Sequence, residues 1–185
     1  KYGTTDVTRT LCFFQQPNKI KDIFTLVLKG HIAVVTSNLE KEDTGKKIDF
    51  HARKFLKKFK LDYGHGTGHG VGYFLNVHEG PQSISKFSNI KLKEGMILSN
   101  EPGYYKEGKY GIRIENLIYL KKNKNKMFFE DLTMVPIDKS LIEKSLLIQN
   151  EKKWINNYHK KVFNRLQKFM NRTEVIDLKE ACSAI

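Results

Sequence analysis

The sequence predicts an α+β fold with a β-rich centre between helical segments, and three patterns carry that prediction. From Tyr63 to Glu130 the apolar residues recur with a period of two, in short runs separated by turn residues. Ahead of this stretch two segments repeat apolar residues at helical spacing, and behind it a third does the same. A chain of 185 residues with 39% hydrophobic and 11% aromatic content is expected to bury one substantial core, as a single compact domain over residues 1–185.

The elements follow in order. Lys1 to Phe14 reads as the remnant of a strand pair, with Val7, Leu11 and Phe13-Phe14 around the polar stretch TTDVTRT. After Pro17, Ile20, Ile23, Phe24, Val27 and Leu28 predict a helix that Gly30 stops. A second helix is expected after Asp43-Thr44, with Ile48, Ala52, Phe55, Leu56 and Phe59 on one face. The last pattern, Trp154, Ile155, Tyr158, Val162, Leu166, Phe169 and Met170, predicts a long amphipathic helix.

Composition narrows the function. The formal net charge is +13, but 28 of the 33 cationic residues are lysines scattered in pairs such as Lys46-Lys47 and Lys160-Lys161. That is a solvated surface, so no nucleic-acid partner is expected, because such a footprint concentrates arginines and aromatics on one element. The most apolar stretch, Phe24 to Val35, is interrupted by Lys29, Gly30 and His31, so no membrane span is expected. Cys12 and Cys182 form neither a CxxC pair nor a disulfide framework and are expected to be reduced thiols in a cytosol. Lys1 is not a methionine, so a targeting signal upstream stays open.

The chemistry concentrates in a few segments. Between Tyr63 and Tyr73 every even-numbered residue is glycine. Strand neighbours alternate faces, so one face is expected to be bare backbone and the other to present His65, Thr67 and His69. Something must approach the bare face closely, since glycine otherwise only weakens a strand. A flexible linker is the bland alternative, but linkers do not carry evenly spaced histidines and aromatics. His78, in NVHEGP, would alone read as a surface histidine; beside His65 and His69 it becomes a third imidazole able to exchange a proton near neutral pH. Glu101 ends the apolar run Met96-Ile97-Leu98 just before a Pro-Gly turn. Arg113 and Glu115 share one strand face between Ile112 and Ile114. By itself that face would be solvent-exposed; with the other segments it fits a guanidinium orienting a metal-bound carboxylate. Asp6 adds a further carboxylate. The set Asp6, His69, Glu101 and Glu115, with no thiolate, suits hard to borderline divalent ions, manganese first and zinc or cobalt next. It holds more carboxylates than one ion needs, which points to two.

The motifs TTDVTRT at 4–10, HGTGHGVG at 65–72, NVHEGP at 76–81, EPGYY at 101–105 and GIRIEN at 111–116 resemble the metal-site signature of the aminopeptidase P (Xaa-Pro aminopeptidase) family. The resemblance covers essentially the whole chain and extends to WINNYH at 154–159, similar to the C-terminal helix of long eukaryotic members. It implies the creatinase or pita-bread fold, a curved antiparallel sheet flanked by helices, here without its first strands and upstream domains. It implies release of the N-terminal residue from peptides with proline second, by attack of a hydroxide bridging two ions, usually manganese. Carried over motif by motif, it makes Asp6, His69, Glu101 and Glu115 metal ligands, Glu101 the proton acceptor, His65 and His78 substrate-binding and proton-shuttling residues, and Arg113 a support for a ligand. His65 and Tyr73 are candidates for the pocket that takes the proline ring. A fifth ligand of the family, an aspartate about ten residues before the one matching Asp6, would lie upstream of Lys1. An upstream fragment of the same polypeptide is therefore an expected partner, and this chain alone is expected to be inactive. Long members are commonly homodimers. The rival readings are a pita-bread binding protein that has lost hydrolysis, and a dipeptidase or creatinase-like enzyme.

Overall fold

In the computed structural model the described residues are 3–124 and 126–185, and they form two compact units. One comprises the described residues of Lys1–Thr10 and Leu26–Thr133, the other Leu11–Thr25 and Met134–Ile185. The division falls within the first helix.

That helix, α1 (Asn18–Val35), starts directly after Pro17 and does not stop at Gly30 as expected. A Cβ at Gly30 would lie 2.5 Å from the carbonyl oxygen of Ala52, so the glycine permits close approach of a second helix, and helix-compatible apolar residues carry α1 onward. Ile32, Val34 and Val35 are all buried. The second helix, α2 (Gly45–Lys57), follows Thr44 in extended conformation and buries Ile48, Ala52 and Leu56. Asp49 and Arg53 lie on that same buried face. Phe59, expected on it, lies beyond the helix and is exposed.

Among the described residues the β-rich region consists of three small antiparallel sheets. Strand β1 (Gly68–His69) pairs with β2 (Ser83–Ile84). Strand β3 (Ile97–Asn100) pairs with β6 (Asn116–Asn123), which pairs on its other side with β7 (Lys126–Asp131). Between them β4 (Gly103–Lys106) and β5 (Tyr110–Arg113) form a hairpin that turns at Gly108, φ +65°. Bridges Gly70↔Leu98 and Thr8↔Glu115 extend the pairing beyond the strands. Leu98, Ile112, Ile114 and Ile118 of the sheet region are buried and belong, with Ile48 and Leu56 of α2, to the core of this unit. At about 25 cal/mol per Å² such side chains each contribute roughly 1.5–3 kcal/mol when fully buried.

The strand pair expected over Lys1 to Phe14 falls partly outside the described residues; over the rest, the Thr8↔Glu115 bridge stands in place of a ladder. The long C-terminal helix is α3 (Gln149–Leu166), continued by a 3-10 turn at Gln167–Phe169. A further helix not anticipated, α4 (Arg172–Ala181), follows it. Its start is fixed by Asn171, whose side chain accepts the N–H groups of Thr173 and Glu174 while Glu174 caps Asn171 in return. In this second unit Tyr158 stacks on Trp154 and its hydroxyl donates to Val135, and the Ile137 N–H donates to His159 Nε2, 3.1 Å away. Cys12 and Cys182 are both free thiols.

Candidate metal centre

Four segments of the first unit deliver the candidate ligands to one place. His69 ends β1, Glu101 follows β3, Glu115 lies between β5 and β6, and Asp6 is two residues from the Thr8↔Glu115 bridge. Donor atoms of Asp6, His69 and Glu115 lie within 4.8 Å of one another. His69 Nε2 is 3.2 Å from Asp6 Oδ2 and 3.5 Å from Glu101 Oε1. The other ring nitrogen, Nδ1, is 3.0 Å from its neighbour's carbonyl oxygen at Gly70, which selects Nδ1–H and turns the Nε2 lone pair toward the carboxylates.

Both glutamates are held. Thr8 Oγ1 donates to Glu115 Oε2, and Arg113 Nε donates to that same hydroxyl oxygen at 3.0 Å and lies 3.9 Å from Glu115. Ser99 Oγ accepts the His69 N–H at 2.9 Å and donates to Glu101 Oε1 at 2.9 Å, so one hydroxyl sets the spacing of two candidate ligands. Burial raises the Glu101 and Glu115 carboxyls above their ordinary values, and the neighbouring carboxylates raise Glu115 further. Three carboxylates and one correctly oriented imidazole in a half-buried cluster form a donor set for hard divalent cations, whose charge would relieve this repulsion. The residues present therefore fit the metal that the motifs imply.

The three histidines take different positions. The His78 ring lies edge-on to His69, with centroids 4.2 Å apart, and is exposed. His65 lies farther along: its Nδ1 is 2.7 Å from the Gly66 carbonyl oxygen, and its Nε2 accepts from the Tyr105 hydroxyl at 2.8 Å. Tyr105 in turn receives Arg113 NH1 at 3.4 Å, linking His65 to the group beside Glu115. Burial lowers the His65 pKa, favouring the neutral ring. Tyr73 does not join this cluster; it is 89% exposed with its ring against Phe74. Thr67 departs from the expected face as well. The glycine-rich run is a strand only at Gly68–His69, and Thr67 is fully buried, donating to Asp49 Oδ1 at 2.6 Å and bonding the Tyr63 hydroxyl.

Close approach to the glycines is found as expected. A Cβ at Gly68 would stand 1.9 Å from the Ser99 carbonyl oxygen, and one at Gly70 2.1 Å from that of Glu79. Residues that the sequence reading missed are Thr8, Ser99 and Tyr105, which hold the candidate residues, and Arg53, which binds the glycine-rich segment. Arg53 did leave a signal: with Asp49 it puts opposite charges four residues apart on the apolar face of α2.

The model of metallopeptidase family M24 matches residues 1–122, and that of the C-terminal region of peptidase M24 matches residues 125–185. A probable Xaa-Pro aminopeptidase P of Coprinopsis cinerea is 50% identical over 176 residues, which cover 89% of this chain and 28% of that protein. The crystal structure of an X-prolyl aminopeptidase from Caenorhabditis elegans, described as a cytosolic enzyme with a di-nuclear active site, superposes with a TM-score of 0.91 at 43% identity. The superposition covers 99% of this chain and 32% of that one. An Xaa-Pro dipeptidase from Bacillus anthracis superposes with a TM-score of 0.63 at 30% identity, over 72% of this chain and 36% of the other. The chain thus spans about a third or less of the length of these relatives. With a family match over residues 1–122 and the fold shared throughout, the chain belongs to metallopeptidase family M24 and has the pita-bread fold of those enzymes.

Proposed function

We propose that the protein containing this chain is a dinuclear, metal-dependent aminopeptidase that releases the first residue of peptides with proline second. The observation that carries the reading is the convergence of Asp6, His69 and Glu115 donor atoms within 4.8 Å, with Glu101 3.5 Å from His69. The names of the relatives at 43–50% identity support the substrate class, and the di-nuclear site described for the Caenorhabditis elegans enzyme supports two ions.

Asp6, His69, Glu101 and Glu115 would hold the ions, manganese by preference for a carboxylate-rich set, with the remaining donor supplied from outside these 185 residues. When bound, the pair would supply a water-derived nucleophile at neutral pH and polarise the scissile carbonyl. The side chains do the rest. Glu101, raised by burial and held by Ser99, is suited to take a proton and pass it on. His78, exposed beside His69, would donate to the carbonyl oxygen as negative charge develops there, a contribution of about 3 kcal/mol for one good donor. Arg113 and Thr8 keep Glu115 in one orientation. His65, neutral and tethered by Tyr105, offers a face to the proline ring, which has no N–H to satisfy. The cytosol is the proposed compartment, after the description of the Caenorhabditis elegans relative; no helix among the described residues is long and apolar enough to cross a membrane.

The test is cleavage of an Arg-Pro-Pro tripeptide against an Xaa-Pro dipeptide by the full-length protein loaded with Mn2+. Release of arginine from the tripeptide, abolished by Glu101→Ala with the fold intact, is expected. Cleavage confined to the dipeptide would make it a dipeptidase, and no cleavage of either by a protein that binds two ions would leave a binding protein.

A further inference from the structure

The glycine-rich segment has a conformational problem. Glycines at 64, 66 and 68 leave the chain between His65 and His69 without the Cβ contacts that ordinarily restrict a backbone, and glycine loses more freedom on folding than any other residue. Yet this segment must aim His69 at two carboxylates to within a few tenths of an ångström. Its own pairing is a two-residue strand extended by the single Gly70↔Leu98 bridge.

The restraint comes from α2. Arg53 is 2% exposed and distributes its guanidinium over the segment: Nε donates to Asp49 at 2.8 Å, NH1 to Asp62 at 2.7 Å and to the Tyr63 carbonyl at 2.8 Å, and NH2 to the His65 carbonyl at 2.6 Å. Its plane lies over the Tyr63 ring, 3.9 Å from the centroid. Asp49, aligned by Arg53, accepts the Thr67 hydroxyl through its other oxygen. Residues 63, 65 and 67, the non-glycine members of the run, are thus each tied to one buried ion pair. The next member is His69. From Thr67 the linkage continues, because its carbonyl accepts the Glu101 N–H at 2.8 Å.

We infer that Arg53 is a positioning residue for the metal centre: with Asp49 and Thr67 it fixes the glycine-rich segment so that His69 and Glu101 hold their spacing and His65 meets Tyr105. A planar fork with several fixed donors can do this and a lysine cannot, since an ammonium offers no geometry that reaches four acceptors in two directions. An ion pair buried on the apolar face of a helix gives little net stability over a hydrophobic replacement, which is a reason to look for a role in specifying geometry.

The inference rests on the proposed metal site, and its test separates the two. In the full-length protein, Arg53→Met, Arg53→Lys and Thr67→Val are compared with the wild type and with Ile155→Ala, a cavity variant of α3 in the C-terminal unit chosen as a stability control. Mn2+ affinity is measured by calorimetry, kcat and KM on Arg-Pro-Pro, and folding by urea titration, all at a temperature where each variant is folded. The expected result is a loss of Mn2+ affinity of about tenfold or more and a fall in kcat larger than any rise in KM for both Arg53 variants. Thr67→Val, which removes one hydroxyl and little volume, should show the same pattern more weakly, and it keeps the test alive if Arg53→Met does not fold. Ile155→Ala should lose stability and keep wild-type Mn2+ affinity and kcat. Wild-type Mn2+ affinity and kcat in folded Arg53→Lys and Thr67→Val would overturn the positioning role. If wild type itself binds no Mn2+, the metal site is wrong and the inference falls with it; if it binds Mn2+ but leaves Arg-Pro-Pro intact, only the substrate assignment falls, and the affinity comparison still decides the role of Arg53.

Discussion

Two glycines in the same run should respond in opposite ways to the same substitution. At Gly68 an added Cβ would stand 1.9 Å from the Ser99 carbonyl oxygen, and contacts of this kind do not occur below 3.0 Å, so β1 and β3 must separate by at least about 1.1 Å. Neither side can yield cheaply, because the contact is backbone on backbone. Overpacking of this order costs about 1–3 kcal/mol. The functional cost should exceed the structural one, since Ser99 bonds both the His69 N–H and Glu101, and a displacement of about 1 Å in a reacting group lowers turnover by roughly 100-fold. At Gly66 the nearest atom to an added Cβ is the Ile84 carbonyl oxygen at 3.5 Å, an ordinary contact, so Gly66→Ala should keep the fold and restrict only the unfolded chain, for a gain of about 0.4–1 kcal/mol. The assays are urea unfolding and Arg-Pro-Pro turnover of the full-length, Mn2+-loaded protein. Gly68→Ala with wild-type kcat and unfolding midpoint would refute the close-approach reasoning, as would equal losses in the two variants.

Three further outcomes are expected. His31 is fully buried, and burial lowers its pKa to about 3 from 6.5. Between those values the unfolded chain binds a proton that the folded one does not, so this group makes stability fall as pH drops below 6.5, by up to about 1.4 kcal/mol per pH unit; urea midpoints from pH 7 to 4 should show a slope one proton shallower in His31→Gln. Thr8→Val removes the hydroxyl between Arg113 and Glu115 and should weaken Mn2+ binding about tenfold by calorimetry with little change in the unfolding midpoint of the metal-free protein. Chelation of bound metal should lower the thermal midpoint of the full-length protein, and readdition of Mn2+ should restore it; an unchanged midpoint would mean that the carboxylate cluster does not bind an ion tightly.

What was legible in the sequence is which donor residues come together. The structure brings donor atoms of Asp6, His69 and Glu115 together with Glu101 beside His69, and the alternating glycines announced a close approach, which the structure shows at Gly68 and Gly70. The helix faces of α2 and α3 followed from apolar spacing because a helix with one buried stripe has one consistent register, but the stripes end sooner than expected: Phe59, Phe169 and Met170 lie beyond these two helices, with both phenylalanines exposed. What was hidden depends on a partner distant in sequence. Gly30 resembles a stop until Ala52 is seen against it. Thr67 was assigned to the face of His65 and His69 by strand alternation, but the segment is a strand for only two residues, and the buried Asp49 draws Thr67 inward. Tyr105 and Ser99 are common residues whose importance lies entirely in what their hydroxyls touch.

The hairpin of β4 and β5 also separates two kinds of change. Glu101 precedes it and Glu115 follows it, and the register Gly103↔Arg113 closes it directly beside both carboxylates. The distance between these two side chains is therefore set at the base of the hairpin, whatever happens at its far end around Gly108. Residues inserted at the tip would lengthen a loop, at a cost that grows only with the logarithm of its length, without altering the ligand spacing. The hairpin can thus change at its tip while the spacing of the two carboxylates at its base stays fixed, and the Gly108 turn is a position at which a label can be attached without disturbing them.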